Sequence, residues 1–139
     1  MQGYHKRSRE ECFDADGWFH TGDLVRTDAD GFFYFVGRLS GMIKTGGANV
    51  SAAEVEKAIA KVTGAEAHVV GIPDAERGEL VAAVVAQPDL DETAVRERLK
   101  AELSAYKIPK RFIALPRAEV PLLSSGKVDM RQLRKLFDA

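Results

Sequence analysis

Apolar residues recur along the chain at spacings that are typical of short strands and amphipathic helices. Two strand-like runs flank the turn sequence DADG at residues 28–31, and this arrangement predicts a β-hairpin over residues 24–38, because Asp and Gly favour tight turns. Three further runs, at residues 68–72, 80–86 and 111–115, predict strands. The middle run is almost continuously apolar, which indicates a strand buried on both faces.

Three other segments combine a helical spacing of apolar residues with a residue that can cap a helix N-terminus. Ser51 is followed three positions later by Glu54, the pattern of a capping box, and Asp91 and Asp129 stand before the other two helices. Pro109 disfavours a helical residue before it, so the second helix is expected to end upstream. The positions expected to face the core are Val55, Ala58, Ile59 and Val62, then Val95, Leu99 and Leu103, then Met130, Leu133 and Phe137.

Between the hairpin and the first helix, residues 39–49 are rich in small side chains and are interpreted as a loop or a junction. The predicted element order is therefore hairpin, loop, α, β, β, α, β, loop and α. This order predicts an α+β fold in which helices flank a small mixed sheet, preceded by the β-hairpin.

Composition places the chain among soluble globular domains. Its 139 residues are 45% hydrophobic and 29% charged, and no apolar run approaches the roughly 20 residues needed to span a bilayer. The first residues, MQGYHKRSREE, lack the apolar core of a secretory signal, and the single Cys12 cannot form an internal disulfide. A cytoplasmic protein with no membrane span is therefore expected.

Charge is unevenly distributed along the chain, although the net charge is only −1. Residues 51–103 contain six Lys and Arg against eleven Asp and Glu, whereas residues 104–139 contain eight against three. A basic tail of this kind suits a polyanion such as a nucleotide or coenzyme A, or is simply a solvated surface. Nucleic acid is not favoured as a partner, because the basic residues are not interleaved with aromatic residues.

Residue spacing excludes two common kinds of site. Gly126 and Lys127 resemble the end of a phosphate-binding P-loop, but Pro121 and Val128 occupy positions where that motif requires Gly and Ser or Thr. The three histidines are scattered and there is no second cysteine, so no metal site is predicted within the chain.

Three segments together carry a resemblance that none of them carries alone. They are GWFHTGD at residues 17–23, GRLSGMIKTGGANVSAAEVE at residues 37–56, and PLLSSGK at residues 121–127. In this order they resemble the C-terminal part of adenylate-forming enzymes, the superfamily of acyl-CoA synthetases, nonribosomal adenylation domains and firefly luciferase. The resemblance runs essentially from end to end, and the glycine-rich segment is more similar to acyl-CoA synthetases than to nonribosomal domains.

The resemblance implies a two-step reaction in which a carboxylic acid attacks ATP to give an acyl-adenylate, and coenzyme A thiol then displaces AMP. Lys127 matches the family's lysine that bridges the acid and the α-phosphate, where two anions require a preplaced cation. Asp23 matches the ribose-binding aspartate, and Arg38 resembles the arginine that contacts the ribose or phosphate. Taken alone, Lys127 is a solvated lysine beside a helix and Asp23 is a turn residue.

The resemblance also implies that a small domain rotates between the two steps. Lys44, Gly46 and Gly47 would line the path of the pantetheine arm, although Lys44 alone is equally well a solvated lysine at a strand end. Ser40 stands where the family usually has a hinge Asp or Lys. The implied domains are residues 1–39, the end of the large N-terminal domain, and residues 40–139, the mobile C-terminal domain.

No segment resembles the phosphate loop or the acyl pocket of the family's large domain, so we expect a C-terminal fragment that is inactive alone. The intact protein is expected to use ATP, coenzyme A and Mg²⁺, with the metal held mainly by the large domain, and to act on a fatty or aryl carboxylic acid. The alternatives are an adenylation domain that serves a carrier-protein thiol and a freestanding module that binds coenzyme A or a nucleotide.

Overall fold

The computed structural model describes residues 3–138, except for the side chain of Ser40, and forms two compact units, one reaching Ser40 and the other beginning at Gly41. The first unit contains an antiparallel hairpin of β1 (Asp23–Thr27) and β2 (Phe33–Arg38). A short 3-10 turn at Leu39–Gly41 follows in the sequence. The predicted hairpin is therefore confirmed.

Asp28 fixes the turn of this hairpin. Its Oδ1 accepts hydrogen bonds from the backbone N–H groups of Asp30 and Phe32, both at 3.0 Å, and its Oδ2 accepts one from the Tyr34 hydroxyl at 2.7 Å. The hydrogen bond from Tyr34 is the main reason that the pKa of the Asp28 carboxyl lies below its usual range. The same bond raises the pKa of Tyr34.

The second unit alternates short strands and helices around one sheet. In chain order its elements are β3 (Met42–Thr45), β4 (Ala48–Ser51), α1 (Ala52–Thr63), β5 (Ala67–Asp74), β6 (Gly78–Val85), α2 (Glu92–Leu99), β7 (Arg111–Ala114) and α3 (Met130–Lys135), with 3-10 turns at Ala105–Lys107 and Arg117–Glu119. The strand order is β4-β3-β6-β5, and β7 pairs in parallel with β6 whereas the other pairs are antiparallel. The prediction of a small mixed sheet with helices is confirmed.

The stretch predicted as a loop, residues 39–49, contains most of a second hairpin, so that prediction is wrong. β3 and β4 pair along their length and are joined by Gly46 and Gly47, whose φ angles are +57° and +81°. Two consecutive positive φ angles are what a type I′ turn requires, and this turn matches the twist of the strands that it joins. The small residues therefore form a tight turn between two paired strands.

β6 runs through the centre of the second unit and is buried on both faces, as predicted. Its residues Val81, Ala83 and Val85 face one apolar cluster, whereas Ala82 and Val84 face another. The first cluster is completed by side chains of α1 and α2, namely Val55, Ala58, Ile59, Val62, Val95 and Leu99. The second is completed by Val120, Leu133 and Phe137. Helices consequently pack on both faces of the sheet.

The helix caps follow the sequence pattern, with one difference. The Ser51 Oγ accepts a hydrogen bond from the Glu54 N–H at 3.4 Å, but the Glu54 carboxylate accepts two from the Lys107 ammonium, at 2.6 and 2.9 Å. A contact with a residue far along the chain thus replaces the reciprocal half of the capping box. The other predicted caps, Asp91 and Asp129, accept backbone hydrogen bonds at the starts of α2 and α3.

Met130 differs from its predicted position. It was expected on the buried face of the last helix, yet it is 44% exposed. It is the first residue of α3, a helix of six residues that packs on the sheet through Leu133. The helical spacing is correct, but the helix approaches the sheet only after its first turn.

Candidate functional site

Asp23 and Arg38 lie opposite each other at the open end of the first hairpin. They are partners in the register of β1 and β2, and the Arg38 Nε donates a hydrogen bond to the Asp23 Oδ1 at 2.8 Å. The Asp23 side chain is 30% exposed and that of Arg38 is 67% exposed. The pair therefore presents to solvent an anchored carboxylate that can accept from two adjacent hydroxyls, beside a guanidinium that can donate to phosphate oxygens.

Asp14 organises the loop that leads into β1, a role that the sequence pattern did not predict. Its carboxylate accepts hydrogen bonds from the backbone N–H groups of Trp18 at 2.8 Å and Asp16 at 3.1 Å, and it lies 2.8 Å from the His20 Nε2. The hydrogen bond from Trp18 is the main reason that the pKa of Asp14 lies below its usual range. The only local signal for this role is the spacing of Asp and Gly in the segment DADG at residues 14–17.

Lys127 follows a tight turn that is ordered by backbone hydrogen bonds. The Gly126 N–H donates to the Leu123 carbonyl at 2.9 Å, and the Leu123 N–H donates to the Lys127 carbonyl at 2.7 Å. Gly126 has a φ of +77°, so a left-handed residue closes the turn. Leu122 and Val128 form an antiparallel bridge on either side of it. The backbone that carries Lys127 is thus held in hairpin geometry.

The Lys127 side chain extends from this turn into solvent. Within residues 3–138 its ammonium forms no hydrogen bond or ion pair. The acid that follows it closely in sequence, Asp129, is engaged in capping α3 through the N–H groups of Arg131 and Gln132, at 3.0 and 3.1 Å. The backbone of Lys127 is therefore held in place, and its ammonium is available to bind a ligand.

We predict that Gly126→Ala destabilises the second unit by about 1–2 kcal/mol, because a side chain in the left-handed region costs roughly this much. A Cβ at Gly126 would meet no atom within 4 Å, so the cost comes from the backbone alone. Urea unfolding measures it, and Gly126→Asn is the matched control, since Asn tolerates a positive φ better than Ala. Equal losses for the two variants would contradict the backbone origin of the effect.

Lys44 lies on β3, two residues before the type I′ turn of Gly46 and Gly47. It is exposed and stands between two buried residues of the same strand, Ile43 and Thr45. Its ammonium has no hydrogen-bond or ion-pair partner in the described part of the chain. Its backbone N–H donates to the Glu79 Oε2 at 2.8 Å, a contact across 35 positions that the sequence pattern did not predict.

The predicted site residues thus fall into separate groups. Asp23 and Arg38 are paired in the first unit, Lys44, Gly46 and Gly47 share the β3–β4 hairpin, and Lys127 stands on the turn before α3. The backbone of Ser40, the predicted hinge, lies in the 3-10 turn where one unit ends and the other begins, and its side chain lies outside what the structure describes.

The described residues hold neither a metal-binding group nor a membrane-spanning helix. Across residues 3–138, no group of three or more His, Cys, Asp or Glu side chains is placed to hold a metal ion. Cys12 is a free thiol that is partly buried. No helix within the described range combines the length and the apolar character needed to cross a membrane.

Comparison with known proteins shows the family to which the chain belongs. A family model described as the AMP-binding enzyme C-terminal domain matches residues 54–127, more than half of the chain. The match begins in α1 and ends at Lys127, so it includes the whole of the lysine turn.

Several acid–CoA ligases are similar to the chain along most of its length. It is 40% identical to sulfoacetate–CoA ligase of Cupriavidus necator, over 96% of the chain and 27% of that protein. It is 42% identical to a medium/long-chain-fatty-acid–CoA ligase of Mycobacterium tuberculosis, over 88% of the chain and 23% of that protein. The structure of o-succinylbenzoate CoA synthetase from Bacillus subtilis with the acyl-adenylate intermediate OSB-AMP has a TM-score of 0.79 and 34% identity, over 94% of the chain and 27% of that structure. The chain spans about a quarter of the length of these relatives.

Proposed function

Because the chain belongs to the family of AMP-binding enzyme C-terminal domains, we propose that it serves as the C-terminal part of an ATP-dependent acyl-CoA synthetase. In the proposed reaction a carboxylate attacks the α-phosphorus of ATP and pyrophosphate leaves, which gives an acyl-adenylate. The thiol of coenzyme A then loses its proton and attacks the acyl carbonyl, and AMP leaves. The observation that carries the proposal is the exposed ammonium of Lys127, which has no partner among residues 3–138, on an ordered turn inside the matched family segment.

For the first step we propose that Lys127 lies between the carboxylate and the α-phosphate. Both reactants are anions and repel each other, so a cation held in place lowers the barrier where negative charge gathers. Asp23 accepts hydrogen bonds from the ribose hydroxyls, and Arg38, held against Asp23 at 2.8 Å, contacts the ribose or a phosphate. The exposure of both side chains supports these roles.

For the second step we propose that the β3–β4 hairpin takes the place of the lysine turn. Lys44 lies beside the pantetheine arm, and the bare backbone of Gly46 and Gly47 leaves room for that thin chain. The proposal requires residues 40–139 to rotate as a mobile domain against the large domain, to which residues 1–39 belong, with the hinge at Ser40. The division of the chain after Ser40 supports this boundary.

ATP and coenzyme A are the proposed cosubstrates, and the cytoplasm is the proposed location. The acid is left open, because the relatives' own names refer to acids as different as sulfoacetate and medium- or long-chain fatty acids. Mg²⁺ is proposed only as the companion of ATP. We propose that it is held mainly by the large domain, as the resemblance implies.

The identity of the acceptor is tested by giving preformed acyl-adenylate to the full-length enzyme, together with either coenzyme A or a carrier protein that bears a pantetheine thiol. We expect rapid release of AMP with coenzyme A and slow release with the carrier protein. The reverse order would assign the chain to an adenylation domain that serves a carrier protein. Titration calorimetry of the 139-residue chain tests the binding-module alternative, which micromolar affinity for coenzyme A or AMP would favour.

A further inference from the structure

The strand β3, which lies between β4 and β6, is joined to β6 by a short seam of polar contacts. Thr45 and Gly78 are the only paired positions in the register of these two strands. Beside this pair, the Gly46 N–H donates to the Arg77 carbonyl at 2.9 Å, and the Lys44 N–H donates to the Glu79 Oε2 at 2.8 Å. A side-chain carboxylate therefore supplies a contact that a backbone carbonyl usually supplies in a sheet.

The Glu79 carboxylate fills the space beside Gly71. A Cβ placed on Gly71 would lie 2.6 Å from the Oε1, 2.8 Å from the Cδ and 3.0 Å from the Oε2 of Glu79, so the carboxylate would have to shift. Gly71 is buried in the middle of β5, and its φ does not lie in the left-handed region. Glycine therefore leaves the space that is filled by the carboxylate that holds β3, and a side chain here would displace that carboxylate.

The loop between β5 and β6 is itself fixed by an acid. The Asp74 Oδ1 accepts hydrogen bonds from the N–H groups of Glu76 and Arg77, at 3.1 and 2.8 Å. This holds in place the segment whose Arg77 carbonyl receives the Gly46 N–H. Glu79 thus contacts the β3–β4 hairpin directly, whereas Asp74 orders the loop whose Arg77 carbonyl contacts it.

We infer that Glu79 is a positioning residue for the Lys44 face in the thioester-forming step. It holds the backbone nitrogen of Lys44, so it fixes the point from which the ammonium extends and the position of the glycine turn two residues later. Without it, β3 keeps the Thr45–Gly78 pair and the Gly46–Arg77 hydrogen bond but loses the contact at Lys44, so the hairpin that carries the lysine and the glycines is held less firmly against β6. The inference rests on the proposed function, because that function assigns the second step to this hairpin.

The test uses Glu79→Ala and Glu79→Gln in the full-length enzyme, with each half-reaction measured separately. We expect Glu79→Ala to slow AMP release from supplied acyl-adenylate and coenzyme A by about 10-fold, the loss of roughly one charge-assisted hydrogen bond, and to change pyrophosphate release by less than about twofold. Glu79→Gln retains a side-chain oxygen that can accept from the Lys44 N–H, and is expected to keep most of the rate. Equal losses in both half-reactions, or a Gln variant as slow as the Ala variant, would overturn the inference.

Gly71→Ala provides a second variant that leaves Glu79 chemically intact. Its added methyl group displaces the carboxylate, so it is expected to slow AMP release as Glu79→Ala does, and the double variant is expected to add little further loss. Hydrogen–deuterium exchange of the peptide that contains Lys44 should be faster in both single variants than in the wild type. Unchanged exchange in Glu79→Ala would show that the carboxylate does not hold β3, and would overturn the inference without reference to catalysis.

Lys44→Ala separates this inference from the proposed function. If Lys44→Ala slows AMP release but Glu79→Ala does not, the positioning role of Glu79 is wrong and the role of Lys44 stands. If Glu79→Ala slows AMP release but Lys44→Ala does not, Glu79 acts through the Gly46–Gly47 turn, and the role proposed for the Lys44 ammonium is wrong.

Discussion

Replacing Lys127 with alanine is expected to slow formation of the acyl-adenylate in the full-length enzyme by about 10²–10³-fold, the usual loss when one organised donor is removed from a site of developing negative charge. The Lys127 ammonium has no partner in the described part of the chain, so its charge is available to a ligand. Pyrophosphate release with saturating acid and ATP measures the first step. AMP release from supplied acyl-adenylate and coenzyme A measures the second, which we expect to persist.

Lys135→Ala is the matched control for this experiment. Lys135 is an exposed lysine of α3, so its removal changes the net charge of the same unit by the same amount. It is expected to leave both half-reactions within about twofold of wild type, since exposed charges away from a site contribute little. If Lys127→Ala reduced both half-reactions equally, the assignment of Lys127 to the first step would fail.

Replacing Asp23 with alanine is expected to weaken ATP binding by about 10–100-fold, because each hydrogen bond to a charged group contributes roughly 1.5–3 kcal/mol. The variant also leaves Arg38 without the partner that holds it at 2.8 Å. The measurement is the KM for ATP in the first half-reaction, together with the affinity of the full-length enzyme for AMP. Asp30→Ala, which removes an exposed carboxylate at the other end of the same hairpin, is the control and should bind ATP normally.

Deoxynucleotides distinguish a ribose contact from a general loss of structure. The wild type is expected to bind 2′-deoxy-ATP or 3′-deoxy-ATP more weakly than ATP, because the carboxylate then has one hydroxyl fewer to accept from. Asp23→Ala should bind ATP and both deoxy forms about equally. A variant that kept the full preference for ATP would show that Asp23 does not contact the ribose.

Much of the fold was predictable, because its signals are local. The hairpin turn at residues 28–31 depends on Asp28, whose carboxylate binds backbone groups two and four residues later. β6 was predicted as doubly buried from its apolar run, and the starts of the helices followed from capping residues. Each of these features depends on side chains that act within a few positions of themselves.

Two of the errors have different origins. The glycine-rich stretch was interpreted as a loop from its composition, although Gly46 and Gly47 are a local signal for a two-residue turn between strands that pair with each other. Glu54 was expected to complete its own helix cap, yet its carboxylate binds Lys107, which is 53 positions away. Only for Glu54 is the partner supplied by the folded arrangement.

The candidate site also combines features that the sequence predicts with features that it does not. Once the first hairpin is given, the register of its strands places Asp23 opposite Arg38. The turn before Lys127 follows from a glycine after two serines. Their chemical roles came from the resemblance to adenylate-forming enzymes and stay predictions. Glu79 could not be found from the sequence, because its contacts are with Lys44 and Gly71, neither of which lies near it in the chain.

β6 contributes side chains to both apolar layers of the second unit, one of which includes residues of α1 and α2 and the other a residue of α3. Neither layer can slide without exposing buried apolar surface, so the rotation that we propose for residues 40–139 would turn Lys44 and Lys127 by the same angle. Substitutions at Lys44 or Lys127 would then change one step each, whereas a substitution that alters the balance between the two orientations would affect both steps.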